Sequence, residues 1–142
     1  MDTGLKVVYL WHDMDVIEVR IAVENANFRG TADVYVGAGG LLDAASLLTN
    51  FPVSNRDKRE VVFGTAGKGF AGGFVRLEFY CKDGAAHAAF RATIEGDFRD
   101  RDQAESAIVD VIFEPAALDE FLLQLQQVET EHRGSARLMT AP

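Results

Sequence analysis

The strongest pattern along this chain has a period of two. Between residues 16 and 24, Ile17, Val19, Ile21 and Val23 alternate with Glu18, Arg20, Ala22 and Glu24. That is the signature of a strand with one buried and one wet face. Asn25-Ala26-Asn27-Phe28-Arg29-Gly30 is turn chemistry, and residues 31–36 read as the return strand with Ala32, Val34 and Val36 inward. Pairing Glu24 with Thr31 sets Val23 opposite Ala32 and Ile21 opposite Val34, so both apolar sets share one face. A second hairpin is predicted from residues 74–82 and 86–95 around Asp83-Gly84, the dipeptide of a type I′ turn. With Lys82 opposite Ala85, Phe79 meets Ala88, Leu77 meets Phe90 and Val75 meets Ala92. Cys81 joins that inner face, where a thiol behaves as a small hydrophobe. Residues 5–11 and 59–64 read as further strands, and residues 105–113 as a last one with Val109, Val111 and Phe113 inward.

Elsewhere the period changes to that of a helix. Leu41, Ala44, Ala45, Leu48 and Phe51 follow helical spacing until Pro52 closes the segment. Pro115 suits the first position of a second helix, and Asp119 and Glu120 in its first turn complement the macrodipole. Leu118, Phe121, Leu122, Leu125 and Val128 give it an apolar stripe. Periodicity stops after residue 131, so residues 131–142 are expected to be a mobile tail. The predicted architecture is one α+β domain over residues 1–130. It has a single antiparallel, meander-like sheet of six to seven strands, with room for strong curvature, and two helices, the C-terminal one packing on the sheet. At 142 residues such a domain buries roughly two-thirds of its surface without staples.

Charge narrows the partners. Twenty-two acidic against fourteen basic residues leave a net charge of -8, which repels phosphate backbones and anionic lipid. Neither nucleic acid nor membrane is therefore expected as a partner, whereas a basic protein is, and a homodimer stays open. The same acidity also serves plain solubility. Cys81 is the only cysteine, so no internal disulfide forms. The opening MDTGLKVVYLW lacks the basic-then-apolar order of a secretory signal. No apolar run reaches the roughly 18 residues of a membrane span. A reducing cytoplasm is the expected location.

Candidate chemistry is sparse. Gly67-Lys68-Gly69-Phe70-Ala71-Gly72 matches G-x-G-x-x-G, but a dinucleotide fingerprint needs a helix after the motif to hold the pyrophosphate, and a strand is predicted there. A phosphate-binding Walker loop fails too, since Gly69 follows Lys68 where Ser or Thr belongs and Val62 replaces the first glycine. The motif reads as a hairpin loop. His12, His87 and His132 fall in a turn, on a strand face and in the tail, without zinc-ligand spacing. Asp97, Asp100, Asp102 and Glu105 lack the spacing of a calcium loop and interleave with Arg99 and Arg101. No cofactor, no metal and no catalytic residue is expected, although a triad assembled in space leaves no trace in sequence.

The outward strand positions are more informative. In the predicted register Arg76 faces Arg91, a like-charge pair that needs a neutralising neighbour. Asp110 falls opposite Arg91 if Gly96 pairs with Glu105, and Glu78 is diagonal to it. Tyr80 sits beside His87, and Tyr35 beside Arg20. Such a ladder is either internally neutralised and merely solvated, or an exposed platform for a partner. Residues 5–11 are apolar on both faces, with Val8 and Leu10 on one and Val7, Tyr9 and Trp11 on the other. Either another element covers the second set or it is an interface patch. The candidate partner-binding residues are therefore Arg20, Tyr35, Arg76, Tyr80, His87 and Arg91, together with Tyr9 and Trp11.

A Phe28-Arg29-Gly30 turn before a short strand leads into the leucine-rich LLDAASLLTNF. The Asp83-Gly84…His87 hairpin and a closing Leu118…Phe121…Leu125 helix follow. This order of elements resembles the WapI-type immunity proteins of bacterial polymorphic-toxin systems and related bacterial families, over most of the chain. The resemblance implies a small non-catalytic protein that binds and blocks a cognate toxin. It carries over no binding residues. The competing expectation is a small-ligand binder or enzyme with a pocket between sheet and helices.

Overall fold

The computed structural model describes residues 2–65, 72–84, 87–97 and 105–142. The glycine motif apart from Gly72, the residues Asp100 and Asp102, and positions 85 and 86 of the second hairpin lie outside the described residues. Among the described residues the strands are β1 (Thr3–His12), β2 (Val16–Glu24), β3 (Arg29–Gly37), β4 (Arg59–Gly64), β5 (Phe74–Cys81), β6 (Ala88–Glu95), β7 (Ser106–Phe113) and β8 (Ser135–Met139). Helix α1 (Gly40–Leu48) follows β3, and α2 (Pro115–Glu131) follows β7. The α+β class and the two helices are as expected.

The single sheet is not. The strands form two four-stranded antiparallel sheets, ordered β3-β2-β1-β8 and β4-β5-β6-β7. After β3, glycines 37, 39 and 40 and α1 carry the chain away from that strand, so β4 starts a new sheet, paired with β5. β3 then lies across the strand ends of the second sheet. Gly73 N–H donates to Asp33 O at 2.8 Å, and the α-carbon of Gly30 leaves no room for a side chain beside Ile94 and Ala107. Inward residues of both sheets and both helices share one apolar core. Phe79 sits near its middle, edge-on to Phe51 and Phe113 at 5.9 and 5.8 Å between ring centres.

Residues 131–142 are also corrected. Ser135–Met139 is β8, paired with β1 and burying Ala136 and Leu138 completely. With only two inward residues, this strand is too short to show a period. His132 (φ 52) and Gly134 (φ 82) adopt left-handed backbone to turn the chain out of α2, and Tyr9 N–H donates to Gly134 O at 3.0 Å. α2 packs on β8, β1 and α1. Its Glu129, the one buried charged side chain among the described residues, accepts a hydrogen bond from Leu41 N–H at 3.0 Å. Gly39, the N-cap of α1, has no side chain to do this, so the carboxylate of a neighbouring helix supplies the missing cap.

Both hairpins keep the predicted faces but sit two residues from the predicted registers. In the first, Asn25 Oδ1 accepts from Asn27 and Phe28 N–H, both at 2.9 Å. This tightens the turn, and Glu24 pairs with Arg29 instead of Thr31. In the second, Lys82 N–H reaches His87 O at 3.0 Å. The turn is therefore longer than the two-residue type I′ form, and Phe79 pairs with Phe90, Leu77 with Ala92 and Val75 with Ile94.

Candidate protein-binding face

The split into two sheets divides the candidate residues. Arg20 and Tyr35 stand on the outer face of the first sheet, and Arg76, Tyr80 and Arg91 on that of the second, so the single charged platform expected from the sequence does not exist. Arg20 faces Asp33 and forms a two-pronged ion pair with it, at 2.8 and 3.0 Å. Tyr35 faces Glu18 instead of Arg20. His87 lies in the hairpin loop, with Nδ1 3.1 Å from Asp83 Oδ2, while Tyr80 faces Ala89.

Tyr9 and Trp11 do not share a patch either. A β-bulge between them leaves Tyr9 opposite the buried Val19 but sets Trp11 opposite Glu18, because one extra residue reverses the side-chain alternation. Trp11, Glu18 and Tyr35 therefore form an outer row of the first sheet. Tyr9 is partly buried and its hydroxyl lies 2.7 Å from His12 Nδ1. His132 stacks on His12 with ring centres 3.7 Å apart. The sequence placed these histidines in a turn and a tail, and only the return of β8 beside β1 brings them together.

The outer face of the second sheet is organised in rows. Glu60, Glu78, Arg91 and Asp110 lie side by side across β4, β5, β6 and β7, and Val62, Arg76, Thr93 and Ile108 form the next row. Arg91 faces Glu78 and not Arg76, so the expected like-charge pair is absent, whereas Asp110 stands opposite Arg91 as predicted. Arg91 donates to both carboxylate oxygens of Asp110 at 2.8 and 3.1 Å. That hydrogen bond holds the Asp110 carboxyl below the usual carboxylate range and raises Arg91. Arg76 Nε lies 3.0 Å from Glu78 Oε1. Burial, then the charge of Asp110, pushes the Tyr80 phenol up. Beside Tyr80 is a surface concavity of about 510 Å³ lined by Lys58, Arg59, Glu60, Glu78, Phe79, Tyr80 and Arg91.

The face also exposes Val62, Ile108 and Ile112. The inward set Val109, Val111 and Phe113 read from the sequence already puts Ile108 and Ile112 outward, but an exposed isoleucine taken singly gives no sign of a binding role. Asp110, between the two isoleucines, shares their outward phase. Among the described residues no three His, Cys, Asp or Glu side chains gather as metal ligands, and no helix is long and apolar enough to cross a membrane. No protein-family model matches the chain, and neither does any curated protein or solved structure.

Proposed function

We propose that the protein is a non-enzymatic protein-binding module that docks its partner on the outer face of the second sheet, and that it acts in the cytoplasm as an immunity protein against a cognate toxin. The observation that carries this reading is the combination on one exposed face of Tyr80 and Arg91, the residue types that supply most interface hot spots, with the exposed apolar side chains Val62, Ile108 and Ile112 around them. Glu60, Glu78 and Asp110 lie among them, so the face offers directional charge as well as apolar area. The net charge of -8 favours a basic partner through long-range attraction. The choice of a toxin rests on the resemblance to immunity proteins.

Co-expression with a toxin encoded beside its gene is the direct test. The intact protein should restore growth. Tyr80→Ala should weaken the complex by ~2 kcal/mol or more while leaving folding nearly intact, because the ring is an anchor and not part of the core. A structure of the complex with Tyr80 and Arg91 in solvent would falsify the docking assignment.

A further inference from the structure

Four strands bound the two sheets, and three of them have their outer edges tied to another part of the chain. On β3, Asp33 O accepts from Gly73 N–H at 2.8 Å. On β7, Asp110 O accepts from Asn25 Nδ2 at 2.9 Å and Ile112 O from Ala141 N–H at 2.8 Å. On β8, Arg137 N–H donates to Gln124 Oε1 at 2.8 Å. No such bond reaches the backbone of β4 among the described residues. An untied edge offers a row of main-chain donors and acceptors, and natural sheets usually protect such rows.

The chemistry beside this edge is specific. A groove of about 410 Å³ runs between β4 and α1, and Val36, Ala44, Leu47, Val61 and Val62 line it. Asp43 is the one charged residue among the groove's lining. Leu47 and Val62 are both about half exposed, at 56% and 47%. On the outer face Glu60 stands directly opposite Glu78, an arrangement that destabilises a strand pair unless a cation is near. Arg76 and Arg91 both sit beside Glu78. No ion pair holds Glu60 among the described residues.

We infer that β4 is a strand-addition site for an extended segment of a basic partner protein, which joins the second sheet antiparallel to β4. This deepens the protein-binding reading above and rests on it. The register of β4 dictates the segment: a basic residue opposite Glu60, an apolar one opposite Val61 facing Leu47, and an apolar one opposite Val62. In an antiparallel strand this reads apolar–apolar–basic. Its cation extends the charge row of the outer face beyond Glu60, and its main chain pairs with the edge of β4 that no bond ties among the described residues.

The probe is the peptide Lys-Thr-Val-Leu-Lys-Thr-Lys, titrated by fluorescence polarisation against the full chain. Two further versions carry N-methyl groups on alternate amides, so that only one of them blocks the edge facing β4. Saturable binding is expected, abolished by one methylation pattern and tolerated with the other. Glu60→Lys, an exposed change checked for an unaltered circular dichroism spectrum and melting point, should weaken binding about fivefold to tenfold. Leu123→Ala, exposed on α2, should leave the peptide unaffected. Equal binding of both methylated peptides, or no binding at millimolar concentration, would overturn strand addition. If Tyr80→Ala abolished peptide binding and Glu60→Lys did not, the edge assignment would fail while the docking face stood. A dimer in sedimentation that Val62→Lys dissociates would give the edge to a second copy of this chain, and would equally overturn it.

Discussion

The first sheet and the second solve the same problem differently. In the first, β8 returns from α2 to cover β1, the side chain of Gln124 ties the outer edge of β8, and Gly73 ties β3. Its outer face is broken by the β1 bulge, which throws Trp11 and Tyr9 to different sides. The second sheet has four nearly matched strands in unbroken register. Its outer rows are regular and exposed, and among the described residues no bond ties the outer edge of β4. Among the described residues such ties reach β3, β8 and β7. Regularity and openness concentrate on the sheet proposed to meet a partner, which is how a binding surface differs from a packing surface.

The comparison holds only if both sheets share one core, and core truncation tests this most severely. Phe79 is almost fully buried and touches Phe51, Phe90 and Phe113. Phe79→Ala should cost ~3–5 kcal/mol. The lone Trp11 reports on the first sheet, whereas circular dichroism reports on both. The two signals should shift together in urea; separate transitions would mean the sheets are independent units. Leu138→Ala, in β8, should cost ~2–5 kcal/mol by the same measurement. A neutral result there would return residues 131–142 to the status of a loose tail. Glu129→Ala comes next. It leaves the Leu41 N–H without its acceptor, at a cost of about 1–3 kcal/mol, and hydrogen exchange should rise first in α1.

The hairpins show what alternation can and cannot specify. His87, read as a strand residue, lies in the loop before β6, but the residues read as inward in these two hairpins do face inward, because a period of two sorts inward from outward residues. A slip of two residues preserves that sorting, so the pattern alone cannot choose among registers separated by two. The choice was made by turn chemistry and charge. Asn25 closed one turn early, the other turn ran long, and both actual registers set opposite charges face to face: Arg20 on Asp33, and Glu78 on Arg91. Cross-strand charge was legible at the last hairpin, where Asp110 fell opposite Arg91 as expected. The division into two sheets was not legible, since nothing local in residues 29–37 says that β3 will cross the ends of a second sheet instead of extending it. Nor was β8, whose two inward residues are too few to make a pattern.

The smallest effect concerns the charge row itself. Asp110 is depressed by the hydrogen bond from Arg91, opposed by burial and helped least by the cation's field. A carboxyl whose folded pKa lies below its unfolded value binds fewer protons in the folded state. Its contribution to stability is therefore present above the unfolded pKa, near 3.8, and is lost as pH falls through the lower folded value. Asp110→Asn removes this increment, so the two proteins should differ at neutral pH and converge in strong acid. Both partners are about half exposed, with 53% and 45% of their side chains accessible, so solvent and salt screen the pair and the difference at neutral pH should shrink further as salt is added. Acid titrations of stability at low and high ionic strength measure this directly. A gap that persisted unchanged to strongly acid pH would mean that Asp110 supports the fold through its shape or its backbone bond from Asn25. The ladder would then be a structural feature of the edge of β7, and the case for reading its charges as part of a recognition face would weaken accordingly.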